Sequence, residues 1–250
     1  MSIDGRLPPN ADPSTAEDDR SLRARVRRQL PLQDAGLLLV REHLGRAVPQ
    51  IETDAEARVA VEEIVGQLGG RLGFSARREA AEDVDVWTSP AGAALVVRPA
   101  GAGNVVEQLR WLSRARDRLL VQRGLPARKL TALCIVCGAL VNWRQIEEAA
   151  LMRRTIDHVR VISLDALLSL AEVRAEGGLA HTDVLTLLRP ASVCADAVVE
   201  LVTRGVRRGS DRGHTGVGPG TEPRRAEVRR QATGSPSRGL PGSNQGQNDF

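Results

Sequence analysis

Residues 84–100 read VDVWTSPAGAALVVRPA, and this stretch decides the fold. Val84 to Thr88 alternates apolar and polar side chains, the period of a strand with one face buried. Ser89-Pro90-Ala91-Gly92 is a turn, combining a residue that fixes φ with one that tolerates positive φ. Ala94 to Val97 is a short apolar run. Two extended segments joined by four turn residues make a β-hairpin.

Working outward, Phe74 to Glu79 is a weaker strand candidate. Before it, a capping-type start at Thr53-Asp54-Ala55-Glu56 leads into Val59, Val61, Ile64, Val65 and Leu68 at helical spacing. Gly69 and Gly70 are expected to weaken or stop that helix, and Gly73 to end it. After the hairpin, Asn104 is placed to cap a helix running to about Arg123, with Val105, Leu109, Leu112 and Leu119 on one face. Leu130 to Leu140 is apolar throughout, as a buried central strand should be. A helix over Arg144–Arg154, a strand over Val159–Leu164 and a helix over Asp165–Ala175, stopped by Gly177 and Gly178, complete the pattern. The fold class implied is α/β, with a central mixed sheet flanked by helices.

The flanks differ in kind. Residues 1–20 are rich in Pro, Asp and Ser and are expected to be disordered, and residues 21–52 form a helical extension of one or two short helices interrupted at Pro31. The α/β domain spans 53–178. Residues 179–204 form a helical appendix broken at Pro190, and 205–250 is a basic tail too poor in apolar residues to fold. No internal repeat is apparent.

Arginine does nearly all the basic work, since Lys129 is the sole lysine among 35 basic residues. The basic excess is confined to the tail: 8 arginines and 4 acids follow residue 204, leaving 27 of each sign before it. The folded part therefore carries no overall electrostatic footprint for nucleic acid. The polar, acidic N-terminus has no signal-peptide pattern, and no apolar run approaches the roughly 20 residues that span a bilayer. The expected location is the cytoplasm, with no membrane partner.

The order helix, strand, hairpin, helix, strand, helix, strand resembles the restriction-endonuclease-like, or PD-(D/E)xK, nucleases. Asp85 matches that family's first metal-binding aspartate at the start of the hairpin. Glu62 and Glu63 match the acidic position on the first helix, which ends in a leucine-glycine-aromatic step. Gln108 matches a glutamine on the following helix, and Leu95-Val96-Val97 matches the strand that runs into acid-x-lysine. The resemblance covers about half the chain. It implies a vestigial catalytic set of Asp85, Glu63 and Gln108.

In such nucleases carboxylates hold Mg²⁺, which polarises the scissile phosphate and acidifies the attacking water, and a lysine positions that water. Here the strand continues Val97-Arg98-Pro99-Ala100. Aligned on the family pattern, Arg98 takes the place of the second carboxylate and Ala100 that of the lysine. A cation opposite Asp85 would compete for its carboxylate and repel a divalent ion. The site is therefore read as degenerate, binding no cofactor, and the bland role for Asp85 is a pair with Arg98 or Arg77. In the alternative, an active enzyme, Glu107 or Glu82 replaces the missing carboxylate and Asp85 and Glu107 hold Mg²⁺.

Other signals have plain readings. Gly101-Ala102-Gly103 lacks the third glycine of a dinucleotide turn and is taken as a loop ending in a helix cap. Cys134 and Cys137, three apart in a strand, face opposite sides and are core thiols, not a metal pair. No Ser-His-Asp arrangement has a recognisable nucleophile turn. Arg98, Arg114 and Arg118 are the candidate phosphate contacts, so DNA or RNA is the candidate partner. Residues 181–203, with Val184, Leu188, Val199 and Leu201, offer a docking surface for a protein partner instead.

Overall fold

The structure is a computed structural model that describes residues 21–28, 36–138, 142–152, 155, 157–189 and 191–214, with backbone alone beyond Arg208. The expected disorder of 1–20 and of the tail from residue 215 onward lies outside the described residues, as does Pro31. Residues 21–28 form α1. There follow α2 (Leu37–Ala47), α3 (Ala55–Arg71), β1 (Ser75–Glu79), β2 (Val84–Thr88), β3 (Ala94–Gly101), α4 (Val105–Arg123), β4 (Leu130–Cys137), α5 (Trp143–Met152), β5 (Val159–Ser163), α6 (Leu164–Ala175), α7 (His181–Leu187) and α8 (Asp196–His214).

The five strands form one mixed sheet in the order β1-β2-β3-β4-β5. β1, β2 and β3 pair antiparallel, whereas β3, β4 and β5 pair parallel. The hairpin turn closes through Ser89 N–H to Ala93 O and Gly92 N–H to Ser89 O, with Gly92 at φ 77°. Alternation along the strands divides the core into two layers. Trp87, Leu95, Val97, Leu133 and Ile135 pack under α3 and α6. Val84, Val86, Val96, Ala132 and Val136 pack under α4 and α5, where Leu109, Leu112 and Leu119 are each almost wholly buried. Each such leucine contributes about 1.5–3 kcal/mol of transfer free energy.

Two expectations about caps and glycines are corrected. The N-cap of α3 is Asp54, not Thr53, its carboxylate accepting from Glu56 N–H at 2.9 Å. The helix runs through Gly69 and Gly70 to Arg71. Gly69 is where α3 crosses Trp87, and a Cβ there would lie 2.6 Å from Trp87 Cε2, so this glycine serves close approach and does not stop the helix. β3 carries the apolar run Ala94–Val97 on through Pro99 to Gly101 beside β4. β2 pairs with β3 only as far as Val97, which leaves one edge of β3 unbonded from Arg98 on, and an open edge tolerates a residue without N–H.

The C-terminal helices are built into the core. Val184, Leu187, Leu188, Ala195 and Val199 belong to the α3/α6 layer, and α8 continues past Gly205 to His214. Val198 and Leu201 remain outside, 37% and 72% exposed.

Candidate functional site

β2 turns Asp85 toward α3, where Asp85 Oδ2 lies against Gly66. One turn earlier, α3 presents Glu62 and Glu63, 3% and 9% exposed. Three carboxylates therefore gather between α3 and the first strands of the sheet, and each is met by a guanidinium. Arg78, opposite Asp85 on β1, stands 3.6 Å from Asp85 and 3.2 Å from Glu62 and also pairs with Asp83. Arg23 of α1 pairs with Glu62 at 2.5 Å and lies 3.6 Å from Glu63. Arg27 Nε donates to Glu63 at 2.6 Å.

Burial pushes the Asp85 carboxyl up to about 6, and the negative charges of Glu62 and Glu63 push the same way, against the pull of Arg78 and Arg23. Desolvation thus outweighs the nearest cation.

Arg98 does not stand opposite Asp85. The partner across the hairpin is Val97, and alternation sends Arg98 to the other face, where its guanidinium carbon sits 4.1 Å from the centre of the Trp111 ring and Nη1 pairs with Asp83 at 2.9 Å. The positions of β3 nearest Asp85 on its face are Val97, its partner across the hairpin, and Pro99. The pairing of Asp85 with Arg98 or Arg77 is corrected in the same way, because Arg77 faces Val86 and the cation beside Asp85 is Arg78.

The other candidates are dispersed. Glu107 and Gln108 are on α4, across the sheet from Asp85, so Asp85 and Glu107 do not converge on one point. Gln108 Oε1 is buried without a hydrogen bond. Glu107 is exposed and, with Asn104, Arg110, Asn142 and Gln145, lines a cleft of about 490 Å³ between α4 and α5. Glu82, the other substitute ligand, is gripped by Arg118, Nε at 2.8 Å and Nη2 at 2.5 Å from Oε2. Among the described residues no group of three His, Cys, Asp or Glu side chains is arranged to hold a metal. Guanidinium groups occupy the space around the acids that Mg²⁺ would need, so these residues do not fit the ion.

Of the arginines proposed for phosphate, Arg98 and Arg118 are engaged in ion pairs, while Arg114 is exposed and unpaired among the described residues. Glu52 packs against Gly101, its Oε1 filling the space where a Cβ would be, and a carboxylate there opposes phosphate in the glycine turn. Cys134 and Cys137 do face opposite layers.

One pair escaped the sequence. Ser89 Oγ lies 2.8 Å from His181 Nε2, and His181 Nδ1 lies 2.8 Å from Leu72 O. The carbonyl can only accept, so Nδ1 carries the proton and the serine hydroxyl donates to Nε2. Ser89 is 2% exposed, and the pair ties the hairpin turn to the end of α3. Arg23 and Arg27 were equally hidden, because their acids lie 36 to 40 residues away in sequence.

Compared with family models, curated proteins and solved structures, the chain matches none of them.

Proposed function

We propose that this chain is a non-catalytic relative of the restriction-endonuclease-like nucleases, used as a binding module for nucleic acid. The single observation that carries the loss of catalysis is the pairing of Asp85, Glu62 and Glu63 with Arg78, Arg23 and Arg27. A divalent ion would have to displace these cations, and β3 offers Val97 and Pro99 on that face in place of an acid and a lysine. The element order supports the kinship: a helix bearing acids, a strand, a hairpin opening with Asp85, then helix, strand, helix, strand.

Binding falls to the outer side of α4, where Arg110 and Arg114 are exposed and form no ion pair among the described residues. Phosphate contacts of this kind give affinity that falls steeply with salt and does not depend on sequence. Fluorescence anisotropy with labelled single- and double-stranded oligonucleotides, with Mg²⁺ and with EDTA, tests both halves. Salt-sensitive binding without cleavage is expected. EDTA-sensitive hydrolysis lost in Asp85→Ala or Glu107→Ala would establish the alternative, an active nuclease with a rearranged site.

Exposed Val198 and Leu201 on α8 favour a second reading, a protein partner docking on 181–203. Added hydrogen-exchange protection of α8 in a complex would support it.

A further inference from the structure

The expectation of no internal repeat is corrected for one hexapeptide: residues 23–28 read RARVRR and residues 225–230 read RAEVRR, differing only at Arg25 against Glu227. The side chains that seat α1 are Arg23, Val26 and Arg27, which share one helix face by their spacing of three and four. Arg23 is held by Glu62 and Glu63, Arg27 by Glu63, and Val26 is 2% exposed within the α3/α6 layer. Their counterparts are Arg225, Val228 and Arg229. The one difference falls on the outside, since Arg25 is 55% exposed and meets Glu56 only at 3.3 Å. The second hexapeptide thus repeats every anchor and changes only a solvent-facing position.

We propose that the seat on α3 is a docking site for the pattern Arg-x-x-Val-Arg, and that residues 225–230 of this chain are its second occupant, exchanging with α1. Two features make α1 the resident. Leu22 packs against the core beside Val26, whereas its counterpart is Arg224. Glu227 would face Glu56, where Arg25 is attracted to it. α8 packs on α6, which packs on α3, so the chain leaving α8 starts on the side of the sheet that carries the seat. Arg225 stands eleven positions beyond His214, a span that covers about 36 Å when extended. The carboxylates of Glu62 and Glu63 are nearly buried and need cations. When α1 is drawn away, the C-terminal copy supplies them.

The test uses the full chain in two arms. Arg225→Glu with Arg229→Glu removes the competitor without touching any described residue. Amide exchange of residues 22–28 should then slow by about threefold or more, because fewer opened molecules are trapped. Unchanged exchange there overturns the proposal. In the second arm a peptide of residues 221–233 is added to the full chain carrying Arg23→Glu, Arg27→Glu, Arg225→Glu and Arg229→Glu, so that the chain's own copy does not compete for the seat. Saturable shifts of the Glu62, Glu63 and Gly66 amides are expected, absent with the charge-reversed peptide. No saturable shift, or the same shift with the reversed peptide, overturns the idea. Should that variant give the spectrum of an unfolded chain, the exchange arm decides by itself.

Discussion

Trp87 Cε2 lies 2.6 Å from the point where a Cβ on Gly69 would stand, so α3 crosses β2 at a distance that only glycine permits. Gly69→Ala must push the indole or the helix aside, in a core where both neighbours are fully buried. The variant should lose about 1–3 kcal/mol of stability, measured by urea unfolding. Gly70→Ala, where nothing lies within 4 Å, should instead be neutral or stabilising by helix propensity. Equal effects at the two positions would contradict the close-approach role.

Asp85 gives a pH dependence of definite sign. Its folded carboxyl titrates at about 6 against an ordinary 3.8, so the folded state binds the proton more tightly than the unfolded one. Its unfavourable ionisation is absent below pH 3.8, grows between 3.8 and 6 and is complete above. Asp85→Asn, which cannot ionise, should be more stable than wild type at pH 7 by about 2–3 kcal/mol, with the gain vanishing near pH 4. A gain that is the same at pH 4 and pH 7 would refute the assignment.

His158 works in the opposite direction. Its Nε2 is 2.9 Å from Ser113 Oγ, and burial first, then Arg116, push its pKa below the ordinary 6.5. Protonation thus favours the unfolded chain, and the stabilisation present above pH 6.5 is lost as pH falls below it. Histidine NMR should find the His158 midpoint under 6.5. His158→Gln should remove this acid-side loss while leaving the Asp85 effect in place.

Arg114 and Arg118 separate binding from folding. Arg118 is the partner of Glu82, which is 6% exposed, so Arg118→Ala leaves a buried acid unpaired and should destabilise by about 1–3 kcal/mol. Arg114→Ala should leave unfolding unchanged and weaken oligonucleotide binding, with a shallower salt dependence. Normal binding by Arg114→Ala would move the interface off α4.

The hairpin was legible because Val84–Thr88 alternates and Ser89-Pro90-Ala91-Gly92 has the chemistry of a turn, both local properties. Helix α4 was legible for the same reason. What failed was non-local. The length of β3 depends on where β2 stops pairing, which the apolar run Ala94–Val97 does not show. The face of Arg98 depends on register, and a one-residue shift along a strand reverses the face, so aligning the family motif put the wrong residue beside Asp85. Gly69 was read from its intrinsic helix preference, which contact with Trp87 overrides. Arg78 was within reach of sequence reasoning, standing on a strand next to the hairpin. Arg23 and Arg27 were not.

β4 separates two thiols that lie only three residues apart. Cys134 and Cys137, both pushed up to about 12 by burial, stay protonated at neutral pH and therefore resist alkylation while the chain is folded. Each reports on a different layer, Cys134 on the α4/α5 side and Cys137 on the α3/α6 side. Pulse labelling read out by mass spectrometry then becomes a two-sided clock. Equal labelling times mean the layers come apart together, and unequal ones name the layer that opens first.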